Sequence, residues 1–278
     1  MINNPYFNLA CEEYLLKELD CSETDYIYIY VNSPSVVIGR NQNIYEEVDL
    51  KYCNSENIEI CRRISGGGTV YHDFGNINIA FFTSSQMNKV NNYNYFMKYL
   101  FEFLKLKGLE VYLNERNSIY IGDKKIGGNA QFTNKRNILS HCTLLFNSDL
   151  ERLEKSINSP FNRIESKASK SVRSSVINLN ELIETESIDL FLEEMKLYFQ
   201  NIKTYTLLTI NNDIIGKVEE KHLGKFMSYK WNYGRSPKCI IHQNDVIFEI
   251  ENGIIASSSI DKYENVKFLP KGELINYF

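Results

Sequence analysis

The feature that most constrains this chain is a run of three glycines, Gly66, Gly67 and Gly68, within residues 62–76, which read RRISGGGTVYHDFGN. Consecutive glycines are unfavourable inside a helix or strand, so the run predicts a tight connection whose backbone can approach a ligand closely and expose its N–H groups. Successive N–H groups in such a turn bind anions. The two arginines just upstream are residues that pair with phosphate or carboxylate. The stretch therefore predicts an anion-binding turn, with a plain glycine-rich hairpin and solvated arginines as the alternative.

Known phosphate-binding signatures and several broad classes of protein do not fit this sequence. Neither G-x-x-x-x-G-K-[ST] nor a G-x-G-x-x-G that opens a helix is present. The net charge of −4 disfavours a nucleic-acid partner, and no apolar run is long enough to span a membrane. Glu12, Glu13 and Lys17 interrupt the segment where a signal peptide would be apolar. We therefore expect a cytoplasmic protein.

The six cysteines are scattered, and no two of them form a C-x-x-C pair. The four histidines do not cluster with them, so the sequence predicts no dedicated metal site. In a cytoplasmic chain we expect such cysteines to be small buried residues. Cys142, which follows His141, is the one thiol that deserves a test as a nucleophile.

The periodicity predicts a mixed α+β fold without strict βαβ alternation. Helices are predicted at residues 5–19, 93–107, 149–157 and 187–199, the last with Leu190, Phe191, Met195 and Tyr198 facing inwards. Strands are predicted at residues 26–31, 36–38, 58–64, 69–71, 77–82 and 139–146. Hairpins are predicted at residues 118–126 and 246–256, the second turning at Asn-Gly. A domain boundary is expected at residues 236–237.

Two further stretches carry chemistry. In residues 122–131, GDKKIGGNAQ, a strand would place Lys124 and Lys125 on opposite faces, so that one faces a pocket and the other faces solvent. The small residues that follow suggest a ligand packed close to the backbone. Residues 170–178, KSVRSSVIN, form a loop rich in serine and arginine that either binds an anion or simply enters a helix.

Together these stretches resemble the lipoate–protein ligase family. The matching motifs are R-R-x-S-G-G-G-x-V-x-H-D-x-G-N at 62–76, K-I-x-G-x-A at 125–130 and S-V-R-S at 171–174. NPYFNLAxEE at 4–13 and WNYGRSP at 231–237 are also similar to family segments. The resemblance implies a mixed β-sheet catalytic domain of the biotin and lipoate ligase type with flanking helices, covering residues 1–236. Residues 237–278 would form a truncated C-terminal accessory segment.

The resemblance also implies a two-step, ATP-dependent reaction. Lipoate, or octanoate in its place, and Mg²⁺-ATP would give the acyl adenylate, and a carrier-protein lysine would then take the acyl group. The implied acceptors are the glycine cleavage H protein and the acyltransferase subunits of 2-oxo-acid dehydrogenases. The carboxylate must be activated because a lysine amine, with a pKa of about 10.4, would only form a salt with a free carboxylate at neutral pH.

The resemblance assigns roles to individual residues by matching position. Lys125 would be the catalytic lysine. Contacts with the nucleotide or the lipoyl adenylate are implied for Arg63, Ser65, Gly67, Gly68, Thr69, Val70, Tyr71, His72, Asn76 and Lys125. The remaining implied groups are Asp123 for Mg²⁺ or nucleotide, Gly128, Ala130 and His141 for the lipoyl pocket, and Ser171 and Arg173 for an anion-binding loop.

Three alternatives remain open at this point. An octanoyl- or lipoyltransferase would use a cysteine nucleophile and no ATP, but both positions at which such relatives carry it lack cysteine here. A biotin ligase would carry G-R-G-R-x-G, which is missing. A catalytic domain that needs a separate partner for adenylation, or a module that only binds the adenylate, would differ from a complete ligase in turnover.

Overall fold

The computed structural model describes residues 2–184 and 187–278, which divide into two compact units. The first unit comprises the described residues of 1–33, 72–149 and 173–222, and the second comprises 34–71, 150–172 and 223–278. The chain contains helices together with parallel and antiparallel strand pairs, so the predicted mixed α+β class is confirmed. The boundary predicted at residues 236–237 stays a prediction.

The helices begin and end as follows: α1 (Pro5–Glu18), α2 (Ile44–Glu47), α3 (Leu50–Ser55), α4 (Tyr93–Leu106), α5 (Leu150–Ser156), α6 (Ile188–Gln200), α7 (Asn212–Val218), α8 (Gly224–Met227) and α9 (Tyr229–Asn232). The strands are β1 (Asp25–Val31), β2 (Ser35–Ile38), β3 (Glu59–Arg62), β4 (Val70–His72), β5 (Asn76–Ser84), β6 (Tyr112–Leu113), β7 (Ile119–Ile121), β8 (Lys124–Gly127), β9 (Asn129–Thr133), β10 (Asn137–Leu145), β11 (Arg163–Ser166), β12 (Tyr205–Leu207), β13 (Cys239–Gln243), β14 (Val246–Glu251) and β15 (Ile254–Ser258).

The first unit is built on a sheet with the strand order β12-β1-β5-β10-β9. β5 lies between β1 and β10 and pairs antiparallel with both, while β12 pairs parallel with β1. The central strands are rich in β-branched and aromatic residues, which suit a pleated surface that is buried. A smaller sheet, β6-β7-β8, contains the hairpin that the sequence predicted.

Helices α4 and α6 close one core of this unit. Phe96, Leu100, Phe103 and Leu104 of α4 are buried, as the helical spacing predicted. The predicted inner face of α6 is partly wrong, because Leu190 is 51% exposed whereas Leu192 and Phe199 are buried. Three consecutive apolar residues at 190–192 leave the phase of the helix ambiguous, and packing selects Phe191 and Leu192.

Helix α1 is buried on nearly every side. Pro5 occupies its first turn, and the Asn4 side chain accepts a hydrogen bond of 3.0 Å from the Phe7 N–H, as expected for an N-cap. Asn8 and Glu12 are at most 1% exposed, although they are polar. Buried polar side chains are stable in a core only when they are hydrogen-bonded. We therefore expect Asn8 and Glu12 to have hydrogen-bond partners inside this unit.

The second unit contains the sheets β3-β2-β4 and β11-β13-β14-β15. Its core gathers residues of the first of these sheets, of α2 and α3, and of the predicted C-terminal hairpin. That hairpin is confirmed: Asn252 and Gly253 have φ values of 53° and 76°, which a two-residue turn of this kind requires. In residues 2–184 and 187–278, no helix is long and apolar enough to cross a membrane.

We predict that Gly75→Ala destabilises the protein by about 1–3 kcal/mol or more, because an added Cβ would lie 2.0 Å from the Asn147 carbonyl oxygen. The Gly75 carbonyl also accepts the N–H groups of Phe146 and Asn147, which limits local adjustment. The free energy of unfolding in urea measures the effect.

The matched control is Gly216→Ala in α7, where an added Cβ meets no heavy atom within 4 Å. We expect this variant to be as stable as the parent or to gain up to about 1 kcal/mol from helix propensity. Equal stability of the Gly75→Ala variant and the parent protein would contradict the close packing described.

Candidate active site

The glycine-rich loop of the second unit is held by Arg63. Its Nη2 donates to the carbonyls of Gly66 and Gly68 at 2.6 and 2.7 Å, and Nη1 donates to the Val37 carbonyl at 3.1 Å. Nε donates to Ser65 Oγ at 3.0 Å. The planar guanidinium fork thus fixes the path of a loop that glycines alone leave loose. Arg63 is only 6% exposed, and its predicted contact with a nucleotide stays a prediction.

Arg62 has a different task from the one that the sequence suggested. It is fully buried, and its guanidinium donates to the carbonyls of Gly39, Gln42 and Asn232 and to Ser236 Oγ at 2.7–3.0 Å. Burial, followed by the neighbouring arginines, lowers the pKa of Arg62 to about 9. The expectation that both arginines would pair with a ligand is therefore wrong for Arg62, which ties WNYGRSP to the start of the loop.

Ser171 of the predicted anion-binding loop meets Thr69 of the glycine-rich loop. The Ser171 hydroxyl donates to Glu47 Oε2 and accepts hydrogen bonds from the Thr69 N–H at 2.8 Å and from Gln42 Nε2 at 3.0 Å. Glu47 also accepts the Ser171 N–H at 2.9 Å. The structure therefore brings two predicted residues together through Glu47 and Gln42, which the sequence analysis did not single out.

Two glycines of this loop region are needed for close approach. An added Cβ on Gly39 would lie 2.1 Å from the Gly67 carbonyl oxygen, and Gly67 itself has φ of 90°. Gly67 and Gly68 are exposed, so their backbone can be reached by a ligand. Val70 is half-buried, and Tyr71 is buried in the core of the second unit. Arg173, which lies in the first unit, is exposed.

In the first unit, Lys125 lies on β8 after a turn in which Gly122 has φ of 54°. Its N–H donates to the Ser175 carbonyl at 2.9 Å, and its carbonyl accepts the Ile177 N–H at 3.1 Å. The strand segment that carries Lys125 is therefore anchored by the chain just after S-V-R-S. Lys124 is 42% exposed and lies 3.9 Å from Asp123, which is 88% exposed. Both lysines are half-buried, so the expectation that one faces a pocket and the other solvent stays a prediction.

The residues assigned to the lipoyl pocket lie on β9, on β10 and, for Gly128, between β8 and β9. His141 of β10 pairs directly with Ala130 of β9, and Gly128 exchanges hydrogen bonds with Thr143, at 3.1 Å to its hydroxyl and 2.9 Å from its N–H. An added Cβ on Gly127 would lie 1.9 Å from the Thr143 carbonyl oxygen. Gly127 thus allows a close approach between two segments of the chain, and the expected contact of the small residues with a ligand stays a prediction.

His72 and Asn76 lie at the ends of the turn that follows the glycine-rich loop. His72 is buried, and its Nδ1 is 3.0 Å from Asn32 Nδ2. Asn76 donates to Asn78 Oδ1 at 3.1 Å, while its own Oδ1 has no hydrogen-bond partner within the described part of the chain. A buried acceptor without a partner is unusual, and it fits the assignment of Asn76 to a ligand-binding position.

Cys142 does not have the environment of a nucleophile. It is 2% exposed within the core of the first unit, and burial, reinforced by the charge of Glu12, raises the pKa of its thiol. A thiol needs to ionise to attack an acyl group, and here the environment opposes ionisation. The other five cysteines are also buried and free. Among the described residues, no group of three His, Cys, Asp or Glu could hold a metal ion.

Comparison with known proteins identifies the family of this chain. Residues 4–200 match the family described as the lipoyl protein ligase A/B catalytic domain. The chain belongs to this family. The lipoate–protein ligase LplJ of Bacillus subtilis is 35% identical over 277 residues, which cover 93% of this chain and 82% of that protein. The human mitochondrial lipoyl amidotransferase is 30% identical over 93% of this chain and 74% of its own length. The chain is therefore an enzyme that attaches lipoate to proteins.

Solved structures show the same fold. A Thermoplasma acidophilum protein with bound lipoic acid superposes with a TM-score of 0.71 at 26% identity, over 84% of this chain and 96% of that one. A bipartite lipoate protein ligase from the same organism, studied with its E2 lipoyl domain, gives 0.70 at 25% identity, over 84% and 94%. Lipoate–protein ligase A bound with ATP gives 0.69 at 26% identity, over 84% and 95%.

We predict that Cys142 of the folded protein is alkylated by iodoacetamide at pH 8 at least ~10-fold more slowly than in the unfolded protein, because burial both shields the thiol and raises its pKa. Peptide mass spectrometry after timed quenching measures the rate at each cysteine. Cys21, whose pKa burial raises to about 11, serves as the internal comparison. Rapid, selective alkylation of Cys142 would restore it as a candidate nucleophile.

Proposed function

We propose that this chain is an ATP-dependent lipoate–protein ligase that activates free lipoate as lipoyl-AMP and transfers the lipoyl group to a lysine of a carrier protein. The observation that carries ATP-dependence is the state of the cysteines. All six are buried, and burial raises the pKa of Cys142 in particular. Buried thiols are poorly placed to carry the acyl group as a thioester, which supports activation of the lipoate carboxylate by ATP instead.

Two displacement steps account for this reaction. In the first, a carboxylate oxygen of lipoate attacks the α-phosphorus of ATP and pyrophosphate leaves. In the second, the uncharged amine of the acceptor lysine attacks the carbonyl carbon, the bond to AMP breaks and the amine proton is released. Negative charge grows on oxygen in both steps, so one fixed ammonium group can stabilise both transition states. Lys125 is the residue proposed for this role.

The glycine-rich loop fits the phosphate-containing part of the substrate. Arg63 turns the carbonyls of Gly66 and Gly68 towards itself, and the exposed glycines allow an anion to approach the backbone. We assign Ser65, Gly67, Gly68, Thr69, Val70, Tyr71, His72 and Asn76 to this part of the substrate, with Arg63, Ser171 and Arg173. Mg²⁺ is assigned to the phosphates of ATP, the oxygen ligands with which it ordinarily enters such sites.

The lipoyl chain is assigned to Gly128, Ala130 and His141; the direct pairing of His141 with Ala130 and the small size of Gly128 and Ala130 support this assignment. Asp123 is assigned to a contact with the nucleotide or Mg²⁺. Its side chain is highly exposed, so a ligand could reach it directly from solvent. The acceptors in this proposal are lipoyl-carrying domains, as in the archaeal ligase studied with its E2 lipoyl domain. We place the reaction in the cytoplasm, as the homology to bacterial ligases supports.

A second candidate function is lipoyl transfer without ATP. The similarity to the human lipoyl amidotransferase favours it, because that relative covers as much of this chain as the bacterial ligase does. The two functions differ in the acyl donor, which is free lipoate with ATP in one and an already lipoylated protein in the other. The choice of donor therefore separates them.

We predict that a carrier domain with an unmodified lysine gains the mass of one lipoyl group when incubated with this protein, lipoate and Mg²⁺-ATP, and gains nothing without ATP. Intact-mass spectrometry measures the gain. A gain only from a lipoylated donor protein would favour the transferase. A gain only from synthetic lipoyl-AMP would show that adenylation needs a partner chain, and would overturn the complete two-step proposal.

We predict that Lys125→Ala lowers the rate of lipoyl transfer by ~10²-fold or more, because one preorganised charge is lost from both transition states. The matched control is Lys124→Ala on the same strand, whose side chain is half exposed and donates to Ser175 Oγ at 2.8 Å. We expect that control to keep transfer within about threefold of the parent rate, since surface charges of this kind contribute little. Equal losses in both variants would refute the assignment to Lys125.

A further inference from the structure

A chain of buried polar side chains connects α1 with two histidines of the first unit. Asn8 and Glu12 are one helical turn apart, so they project from the same face of α1. Asn8 leads through Asn32 to His72, and Glu12 contacts His141 directly. Both helix residues are almost completely buried, so each of their hydrogen bonds fixes the orientation of the side chain that it joins.

The orientation of the Asn8 amide is fixed by the main chain. Its Nδ2 donates to the Ile2 carbonyl at 2.9 Å, and a carbonyl can only accept, so the NH₂ group must lie on this side. Its Oδ1 accepts the Tyr28 hydroxyl at 2.7 Å. Burial raises the pKa of Tyr28, so this hydroxyl keeps the proton that it donates.

The constraint passes from Asn8 to His72. Asn8 Nδ2 also donates to Asn32 Oδ1 at 2.8 Å, which turns the NH₂ group of Asn32 towards Nδ1 of His72, 3.0 Å away. An NH₂ group can only donate, so Nδ1 of His72 must accept with its lone pair. A histidine whose Nδ1 accepts is neutral and carries its proton on Nε2.

Glu12 imposes the opposite arrangement on His141. The Tyr30 hydroxyl donates to Glu12 Oε1 at 3.0 Å, and burial raises the pKa of Tyr30, so this proton also stays in place. Nδ1 of His141 lies 2.9 and 3.1 Å from the two carboxylate oxygens. A carboxylate accepts only, so the proton between the two residues lies on Nδ1, and Nε2 of a neutral ring is then an acceptor.

We propose that α1 sets the protonation of the two histidines: Asn8, through Asn32, holds His72 as the Nε2–H tautomer, and Glu12 keeps the proton of His141 on Nδ1. Asn8, Asn32 and Glu12 are thus positioning residues. The assignment of tautomers stands on the hydrogen bonds alone. Its catalytic meaning rests on the proposed function, which assigns His72 to the phosphate-containing part of the substrate, where an Nε2–H suits an oxygen acceptor, and His141 to the lipoyl pocket.

Nitrogen-15 NMR of the complete protein, labelled at histidine and free of ligands, tests the assignment directly. Two-bond proton–nitrogen correlations distinguish Nε2–H, Nδ1–H and doubly protonated rings. His72 and His141 are assigned by the signals lost in His72→Gln and His141→Gln. We expect a proton on Nε2 and none on Nδ1 for His72, and a proton on Nδ1 for His141. A protonated Nδ1 on His72, or an unprotonated Nδ1 on His141, would overturn the proposal.

Asn32→Asp converts the donor that faces His72 into an acceptor while Asn8 keeps its own bond. We expect the His72 pattern to switch to a protonated Nδ1 and the His141 pattern to stay unchanged. Glu12→Gln is expected to reduce the Nδ1–H population of His141. Its matched control is Glu13→Gln on the same helix, because Glu13 pairs with Lys17 at 2.9 Å and should leave His141 unaltered. If the protonation of His72 in Asn32→Asp and that of His141 in Glu12→Gln are both unchanged, the proposed control of the histidines by α1 is refuted.

The activity of these variants is a separate readout. If the histidines act as proposed, Asn32→Asp lowers single-turnover lipoyl transfer by ~10-fold or more while the other histidine signals show an intact fold. If the histidines show the expected tautomers but the protein has no ligase activity, the proposed function is refuted and the control of the tautomers by α1 is confirmed. Normal transfer with a switched His72 would show that the tautomer has no catalytic role.

Discussion

The glycine-rich loop of the second unit depends on one interaction, the contact between the Arg63 guanidinium and the loop carbonyls. A run of glycines has no side chains to pack and loses much conformational freedom when it is ordered, so it needs an external partner to adopt one shape. Arg63 supplies that partner with donors in fixed directions. Glu47 adds a second restraint through Ser171 and Thr69. The loop is therefore preorganised by charged groups that are themselves buried.

Buried charge is costly unless it is fully hydrogen-bonded, and the two units meet this requirement in different ways. In the second unit, the Arg62 guanidinium is surrounded by carbonyl oxygens of the main chain. In the first unit, Glu12 accepts hydrogen bonds from the Tyr30 hydroxyl and from Nδ1–H of His141. Removing one partner would leave the other uncompensated. Such residues therefore fix local geometry more strictly than apolar residues of the same size would.

The elements with a local signal could be predicted from the sequence. Pro5 marks the start of α1, and Asn252-Gly253 marks a hairpin whose φ values are positive. Helix α2 is only one turn long, so it has no periodicity to detect. The glycine-rich loop could be located, but its partner Glu47 could not, because a glutamate in a short helix looks like a surface residue. Glu12 is the same case: its burial depends on contacts distant in sequence.

The same limit explains why the chemistry of this site cannot be deduced from its titratable residues one by one. A histidine is a donor or an acceptor according to what lies against its other nitrogen. His72 faces an amide NH₂ group and His141 faces a carboxylate, and these opposite partners are delivered by residues spaced four apart on one helix. The buried thiols contribute no nucleophile. What these residues can supply is a set of oriented charges and protons, and under the proposed function that is sufficient, because the adenylate already carries an activated acyl group.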